Sequence, residues 1–384
     1  MRIKKLFIII LLISILTAGY SGKAYPWSFF RIIDSSPSNA SEIKELENFD
    51  IENDILYLPP LKDKALFESI DDLSICRRKE IRNHIYIYMT LGREYLTNAI
   101  TRSKRYHAIV AAIIKNEKDI PEDIALLPLL ESGFNPYALS RSKAAGLWQF
   151  LNSTSIPLGL RNDSWIDERR DIEKSTIAAI KHMRNLYRTF NSWELVLTAY
   201  NGGAGYLNKV IRKGGTANLR ELQRRGLLKK ETSEFVPRFA ALVVLYKNRQ
   251  LFGIEEESES ETQINTEELV LEYPIDIRNI EKYTGVSLDF IRKYNPELKQ
   301  NITPPYYKNY TIRIPSGAKE AFTNNMSKLA EVYYRKLERH IVKEGECLSI
   351  IAARYNAEIK KIQSINNIDN PNRIRPGLEL YIPI

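Results

Sequence analysis

From about Asp71 to Leu251 the chain spaces its apolar residues at helical intervals, interrupted only by Gly, Pro and Asn. A run of that length restricts this part of the chain to a mainly helical domain. Pro121 stands where the first turn of a helix tolerates proline, and Ile124, Leu127 and Leu130 follow at helical spacing. Ile177-Ala-Ala-Ile180, with Met183 and Leu186-Tyr187, makes a second apolar stripe. Trp193 to Tyr200 leads into an Asn-Gly-Gly turn, and Phe239 to Tyr246 reads as a closing helix.

The pattern changes after Gly253. Glu255 to Glu261 is an acidic run without large apolar residues, the composition of a linker. Beyond it come short strand–helix–helix–strand units, and they repeat. Ile277, Ile280, Leu288, Ile291 and Asn295 recur 71 residues later as Leu348, Ile351, Ile359, Ile362 and Asn366. Each unit closes on an alternating strand before proline, Tyr310 to Pro315 and Leu378 to Pro383, offset by 68, so the first unit carries three extra loop residues near Thr303-Pro-Pro-Tyr-Tyr. The expected organisation is a signal peptide (1–24), an extended arm (25–70), a helical domain with a helical N-terminal extension (71–253), a linker (254–264), a first unit (265–316), a helical connector (317–338) and a second unit (339–384).

The 384 residues suffice for two or three domains, and 44% hydrophobic with 27% charged residues is ordinary globular composition. The N-terminus reads as a secretory signal: a basic Met-Arg-Ile-Lys-Lys, an apolar run from Leu6 to Ala18, and a small-x-small Gly22-Lys-Ala24. Its removal takes away four basic groups and no acid, lowering the formal charge from +9 to +5. That balance is mild and spread along the chain, which argues against nucleic acid and suits a polyanionic envelope or wall. Only Cys76 and Cys347 are present, far apart, and two unpaired, half-buried thiols are expected. Four scattered histidines and no Cys/His cluster give no metal site, and no cofactor is expected.

The chemistry concentrates in the helical domain. Glu131 ends the run Ile124-Ala-Leu-Leu-Pro-Leu-Leu-Glu, and a carboxyl set against apolar neighbours stays protonated near neutral pH and can act as a general acid. Ser132 adds a hydroxyl, Gly133 and Gly146 allow close backbone approach, and Gln149 offers a donor and an acceptor for sugar hydroxyls and amides. Tyr200-Asn201-Gly-Gly supplies a phenol and an amide at a turn that is also a helix C-cap. Trp148, Trp165 and Trp193 read as core, and Asp167 and Asp171 as caps or ion-pair partners of Arg169 and Arg170. A glycosidase pairs two carboxylates about 5–5.5 Å apart for retention or about 6.5–9.5 Å for inversion. Asp123, Asp167, Asp171 and Glu194 are available, but none sits in a motif like that of Glu131.

Glu131-Ser132, Gly146-Leu-Trp-Gln-Phe150, Ala199-Tyr-Asn201 and Glu231-Thr-Ser-Glu-Phe-Val-Pro237 resemble the four motifs of the family 1 lytic transglycosylases, whose catalytic domain has a goose-type lysozyme-like helical fold. The segment from Arg339 to Pro383 resembles a LysM module, a peptidoglycan-binding βααβ unit, and residues 265–316 look like a more divergent copy. The resemblance covers roughly residues 60–384. It implies an enzyme that cleaves peptidoglycan between N-acetylmuramic acid and N-acetylglucosamine without water, leaving 1,6-anhydromuramoyl ends. Glu131 would serve as acid and then base, and Ser132, Gln149, Tyr200 and Asn201 would position the sugar. Phe235 stands where the family usually has tyrosine, and Glu346-Cys347 where LysM modules have Asp-Thr. The implied partners are glycan strands, for a monomeric protein exported to the periplasm or cell envelope, with room for peripheral membrane association.

Overall fold

The computed structural model describes residues 78–250, 252–254, 265–305, 307, 309–329, 337–366, 368 and 370–383. The signal segment, the arm, Cys76 and the acidic run lie outside the described residues. The mainly α class expected is found: a helical domain followed by two small units, each with one antiparallel strand pair.

In the helical domain α1 (Lys79–Met89) and α2 (Arg93–Lys115) lead to a 3₁₀ turn at Glu122–Leu126 and the short α3 (Leu127–Glu131). A single helix from Pro121 onward is not formed. Pro128 has no N–H to return to the carbonyl of Ile124, so the run breaks into 3₁₀ and α pieces. The one-turn α4 (Asn152–Ser155) follows, then α5 (Ile172–Phe190), α6 (Trp193–Gly202), α7 (Ala204–Gly214), α8 (Leu219–Arg224) and α9 (Lys230–Lys247). Asp171 caps α5 by accepting from the N–H of Glu173 and Lys174 at 3.0 and 2.8 Å, leaving Asn191 to end it in the left-handed region. The buried stripe of α5 runs through Ile172, Thr176, Ala179, Met183 and Leu186. Ile177 and Tyr187, expected in that stripe, are exposed: at about 3.6 residues per turn Ile177 stands more than a third of a turn from its centre line, and Tyr187 lies beyond its edge.

The central element is α9. Every residue from Phe235 to Leu245 is buried, as expected for a helix apolar all round, and α9 packs against α1 and α6. Pro237 sits inside it. The carbonyl this leaves without a helical donor is that of Ser233, and the Gln223 side-chain amide supplies the missing hydrogen bond at 2.7 Å.

The first unit runs β1 (Thr266–Leu271), α10 (Ile280–Thr284), α11 (Leu288–Tyr294) and β2 (Tyr310–Pro315), and β1 pairs antiparallel with β2. Helices α12 (Lys319–Asn324) and α13 (Met326–Leu329) follow. The second unit runs β3 (Leu337–Ile341), α14 (Leu348–Tyr355), α15 (Ile359–Asn366) and β4 (Glu379–Pro383), with β3 antiparallel to β4. The repeat reaches individual hydrogen bonds. Asn295 donates to the carbonyls of Ile291 and Arg313 and accepts from the Arg313 N–H at 2.7 Å. Asn366 does the same with Ile362 and Tyr381, again accepting at 2.7 Å. One asparagine in each unit, buried at Asn295 and half-buried at Asn366, thus ties its second helix to its last strand. Cys347 is exposed rather than half-buried, since it precedes α14 on the outer loop, and it is a free thiol.

Candidate active site

Glu131 ends α3, and the next two turns of backbone are unusual. Gly133 and Phe134 both have positive φ, +58° and +55°, the second costly for a side-chain-bearing residue. The chain is held there from outside. Pro128 accepts from the N–H groups of Ser132 and Phe134, Tyr95 of α2 donates to the Leu129 carbonyl at 3.0 Å, and Arg102 donates to the Gly133 carbonyl at 2.8 Å. Phe134 itself is fully buried. Packing therefore over-determines the turn that presents Glu131.

The Glu131 carboxyl lies at the floor of a cavity of about 450 Å³ lined also by Gln149, Tyr200, Asn201, His182, Glu231 and the arginines 141 and 238. Glu131 is 6% exposed. Burial raises its pKa from 4.5 to about 8, and the negative charge of Glu231 pushes in the same direction. At neutral pH it is a carboxylic acid, able to donate a proton. Burial and the nearby Glu131 raise the Tyr200 phenol, which stays neutral and donates to the Trp148 carbonyl at 2.7 Å. His182 is held below its ordinary value by burial, its ring packing against those of Phe150 and Tyr200 at 6.2 and 5.6 Å.

The segment from Gly146 to Phe150 turns tightly beside the acid. Gly146 and Gln149 have φ of +82° and +49°. The Gln149 amide donates to the Gly146 carbonyl at 2.9 Å, bracing the turn while its side chain faces the cavity. Leu147 and Trp148 are buried beneath it, and the indole N–H of Trp148 donates to Thr176 at 3.0 Å. The three tryptophans expected in the core are all buried.

Of the sequence-derived residues, Glu131, Gln149, Tyr200 and Asn201 meet in the cavity. Ser132, Gly146 and Phe235 do not line it. Ser132 is fully buried and donates to the carbonyls of Leu147 and Pro128, so it fastens the glutamine turn to α3 instead of facing a ligand. Gly146 packs against the backbone of Arg169, and Phe235 is part of the core around α9. The four carboxylates considered as partners are engaged elsewhere. Asp123 pairs with Lys247 at 2.5 Å, Asp167 with Arg169 at 2.7 Å, Glu194 with Arg78 at 3.7 Å, and Asp171 caps α5.

Glu231 is the acidic residue that the sequence did not single out. It sits in the first turn of α9, a hundred positions from Glu131, and its only sequence signal was membership of the motif ending at Pro237. Replacing Glu231 by glutamine is expected to lower the Glu131 pKa, because a charge opposing its ionisation is gone. The protonated form is the donor, so the alkaline limb of a pH–rate profile should move to lower pH. Profiles of both proteins decide this, and an unmoved limb would show that solvent screens Glu231 from the acid.

Among the described residues no group of His, Cys, Asp and Glu has the arrangement of a metal site, and no helix is long and apolar enough to cross a membrane.

The transglycosylase SLT domain family matches residues 92–223, the LysM-like domain of lytic transglycosylase MltD matches residues 265–331, and the LysM domain matches residues 340–383. The chain is 27% identical over 305 residues to membrane-bound lytic murein transglycosylase D of Escherichia coli K12, an alignment covering 76% of this chain and 66% of that protein, just short of two thirds of its length. Membrane-bound lytic murein transglycosylase C of Edwardsiella ictaluri is 33% identical over 105 residues, 23% of this chain and 29% of that one. The 70 kDa soluble lytic transglycosylase of Escherichia coli aligns in structure with a TM-score of 0.34 at 18% identity, over 52% of this chain and 33% of that chain. Residues 92–223 of the helical domain thus form a transglycosylase SLT domain, followed by an MltD-type LysM-like domain and a LysM domain.

Proposed function

We propose that this protein is a lytic transglycosylase that cleaves the β-1,4 bond between N-acetylmuramic acid and N-acetylglucosamine in peptidoglycan. The observation that carries the reading is the Glu131 acid, protonated up to about pH 8 in a cavity that also presents the amides of Gln149 and Asn201 and the phenol of Tyr200. Glu131 donates its proton to the glycosidic oxygen as the bond from that oxygen to the muramoyl anomeric carbon breaks. The muramoyl 6-hydroxyl then attacks the same carbon and returns its proton to the Glu131 carboxylate, so the acid is regenerated and a 1,6-anhydro ring closes with no water consumed. A substrate that supplies its own nucleophile needs no second carboxylate from the protein. Gln149, Tyr200 and Asn201 hold the sugar and its acetamido group, while Ser132 and Gly146 serve by positioning the turn.

Digestion of purified sacculi in water enriched in oxygen-18 tests this, with mass spectrometry of the released fragments. Anhydromuramoyl ends without heavy oxygen are expected. Reducing ends carrying one oxygen-18 would establish a lysozyme-type hydrolase, a reading to which Glu231 in the same cavity lends its weight. Absence of soluble product from folded protein would leave a non-catalytic peptidoglycan-binding scaffold. The two LysM-type domains support retention on glycan strands, the basic and apolar N-terminus supports export to the periplasm or cell envelope, and monomeric action with peripheral membrane association completes the proposal.

A further inference from the structure

The segment from Asn162 to Asp171 joins the glutamine turn on one side to both C-terminal modules on the other. Towards the active site the buried Arg169 guanidinium donates to the carbonyls of Lys143 and Phe150 at 2.8 and 3.0 Å, the two ends of the turn that presents Gln149. Its remaining donors form a two-pronged pair with the Asp167 carboxylate at 2.8 and 2.7 Å. The Arg169 carbonyl lies against Gly146, where an added Cβ would come within 1.7 Å of it. This one residue therefore sets both the span and the seat of the turn.

Towards the modules the same segment is added, strand-like, to the LysM-like domain. The Asp167 N–H donates to the Glu297 carbonyl at 2.8 Å, Ile166 bridges Leu298, and the Lys299 N–H donates to the Trp165 carbonyl at 2.8 Å. Trp165 and Ile166 share one apolar cluster with Leu269, Ile291 and Ile312 of the first unit and Tyr381 of the second. Arg313 reaches Asp171, the cap of α5, at 3.4 Å and Glu173 at 3.0 Å. Tyr381 meets the Trp165 ring edge-on at 4.8 Å. Arg313 and Tyr381 are the equivalent positions of the two repeats, the residues clasped by Asn295 and Asn366. Both modules thus present the same strand position to the helical domain.

We propose that the two modules are a working part of the active site as well as an attachment to the wall: their docking holds residues 163–171, and Arg169 transmits that hold to the turn bearing Gln149. Arg169 is a positioning residue. A flexible tether needs none of these contacts, whereas a brace needs all of them to be continuous. The inference rests on the proposed transglycosylase reading for its kinetic consequence and not for its structural one.

The test uses the full chain with Arg313→Ala, Arg313→Lys, Arg169→Met and Arg169→Lys. Hydrogen–deuterium exchange reads the amides of Ala145, Gly146, Gln149 and Phe150, all hydrogen-bonded within or beside the turn. Kinetics are measured on purified glycan strands, and sacculus pull-down reads wall binding. Arg313→Ala is expected to speed exchange at the turn although it touches none of it, and to lower kcat about tenfold with KM and pull-down within about twofold, since misplacement far from the chemistry costs up to about 10²-fold. Arg169→Met should approach that limit, with Arg169→Lys recovering only part, because an ammonium cannot span both carbonyls and the carboxylate. Arg313→Lys should fall between Arg313→Ala and wild type, because lysine keeps the charge and loses the two-pronged contact with Asp171. Faster exchange at 163–167 and 297–299 in Arg313→Ala, with the turn and kcat unchanged, would overturn the proposal, as would an Arg169→Met protein of lower Tm but wild-type kcat. Should the wild type release no anhydromuramoyl product, the functional reading fails and exchange at the turn alone decides the brace.

Discussion

Glutamine at position 131 is expected to abolish release of anhydromuramoyl fragments, lowering turnover by about 10⁴-fold while leaving sacculus pull-down intact. A single general acid contributes about 10² to 10⁴, and here one carboxyl serves both proton transfers, so the upper end applies. The same substitution should stabilise the fold. Burial lifts the Glu131 pKa from 4.5 to about 8, so the native protein retains a proton that the unfolded chain releases. Between those values native protein binds more protons than unfolded, and stability falls as pH rises. Glutamine does not titrate and escapes this loss. At about 1.4 kcal/mol per unit the advantage at pH 7 is on the order of 3 kcal/mol. It disappears below the unfolded pKa and levels off above the folded one. Thermal melts of both proteins from pH 4 to 9 check it. A Tm difference that stays constant with pH would mean that the acid is not buried as described.

Gly146→Ala should be the most damaging alanine substitution among the described glycines. The backbone there has φ +82°, and the new Cβ would lie 1.7 Å from the Arg169 carbonyl oxygen. The obstacle is backbone and is itself pinned by the buried Asp167–Arg169 pair, so no side-chain rotation relieves it. Strain of this kind belongs with the exceptional losses above about 4–5 kcal/mol, enough to unfold the helical domain or expel the glutamine turn. Gly215 is the control. It lies in the left-handed region at φ +66° and ψ +16°, and a Cβ there would meet nothing within 4 Å, so Gly215→Ala carries only the left-handed penalty of about 1–2 kcal/mol. Denaturant titrations of the two variants separate clash from conformation. A Gly146→Ala protein as stable as Gly215→Ala would refute the contact.

Much of this was legible one residue at a time. Gly146 was read as a place of close backbone approach, which it is, but its partner proved to be a carbonyl more than twenty positions away. Asp171 was read as a cap and is one, while its contact with Arg313 crosses domains. Ser132 follows Glu131 in sequence yet points into the core, because the chain turns through positive φ immediately after the acid. Phe235 stands where the resemblance implies a tyrosine, and it lies in the buried part of α9, outside the cavity lining. Glu231 was passed over, although it is the acidic side chain that shares the cavity with Glu131.

The sequence by itself determined the helical domain, the duplicated βααβ units with their matching asparagines, and the glutamate set among apolar neighbours that is proposed as the acid. These depend on side-chain periodicity, on turn chemistry and on motifs that act within a few residues of chain. Only the tertiary structure decided which carboxylates face Glu131, how far water is excluded from it, and that both modules grip the segment behind the glutamine turn. Burial and electrostatic coupling depend on surfaces contributed by segments a hundred or more residues apart, and no local pattern encodes where those surfaces meet.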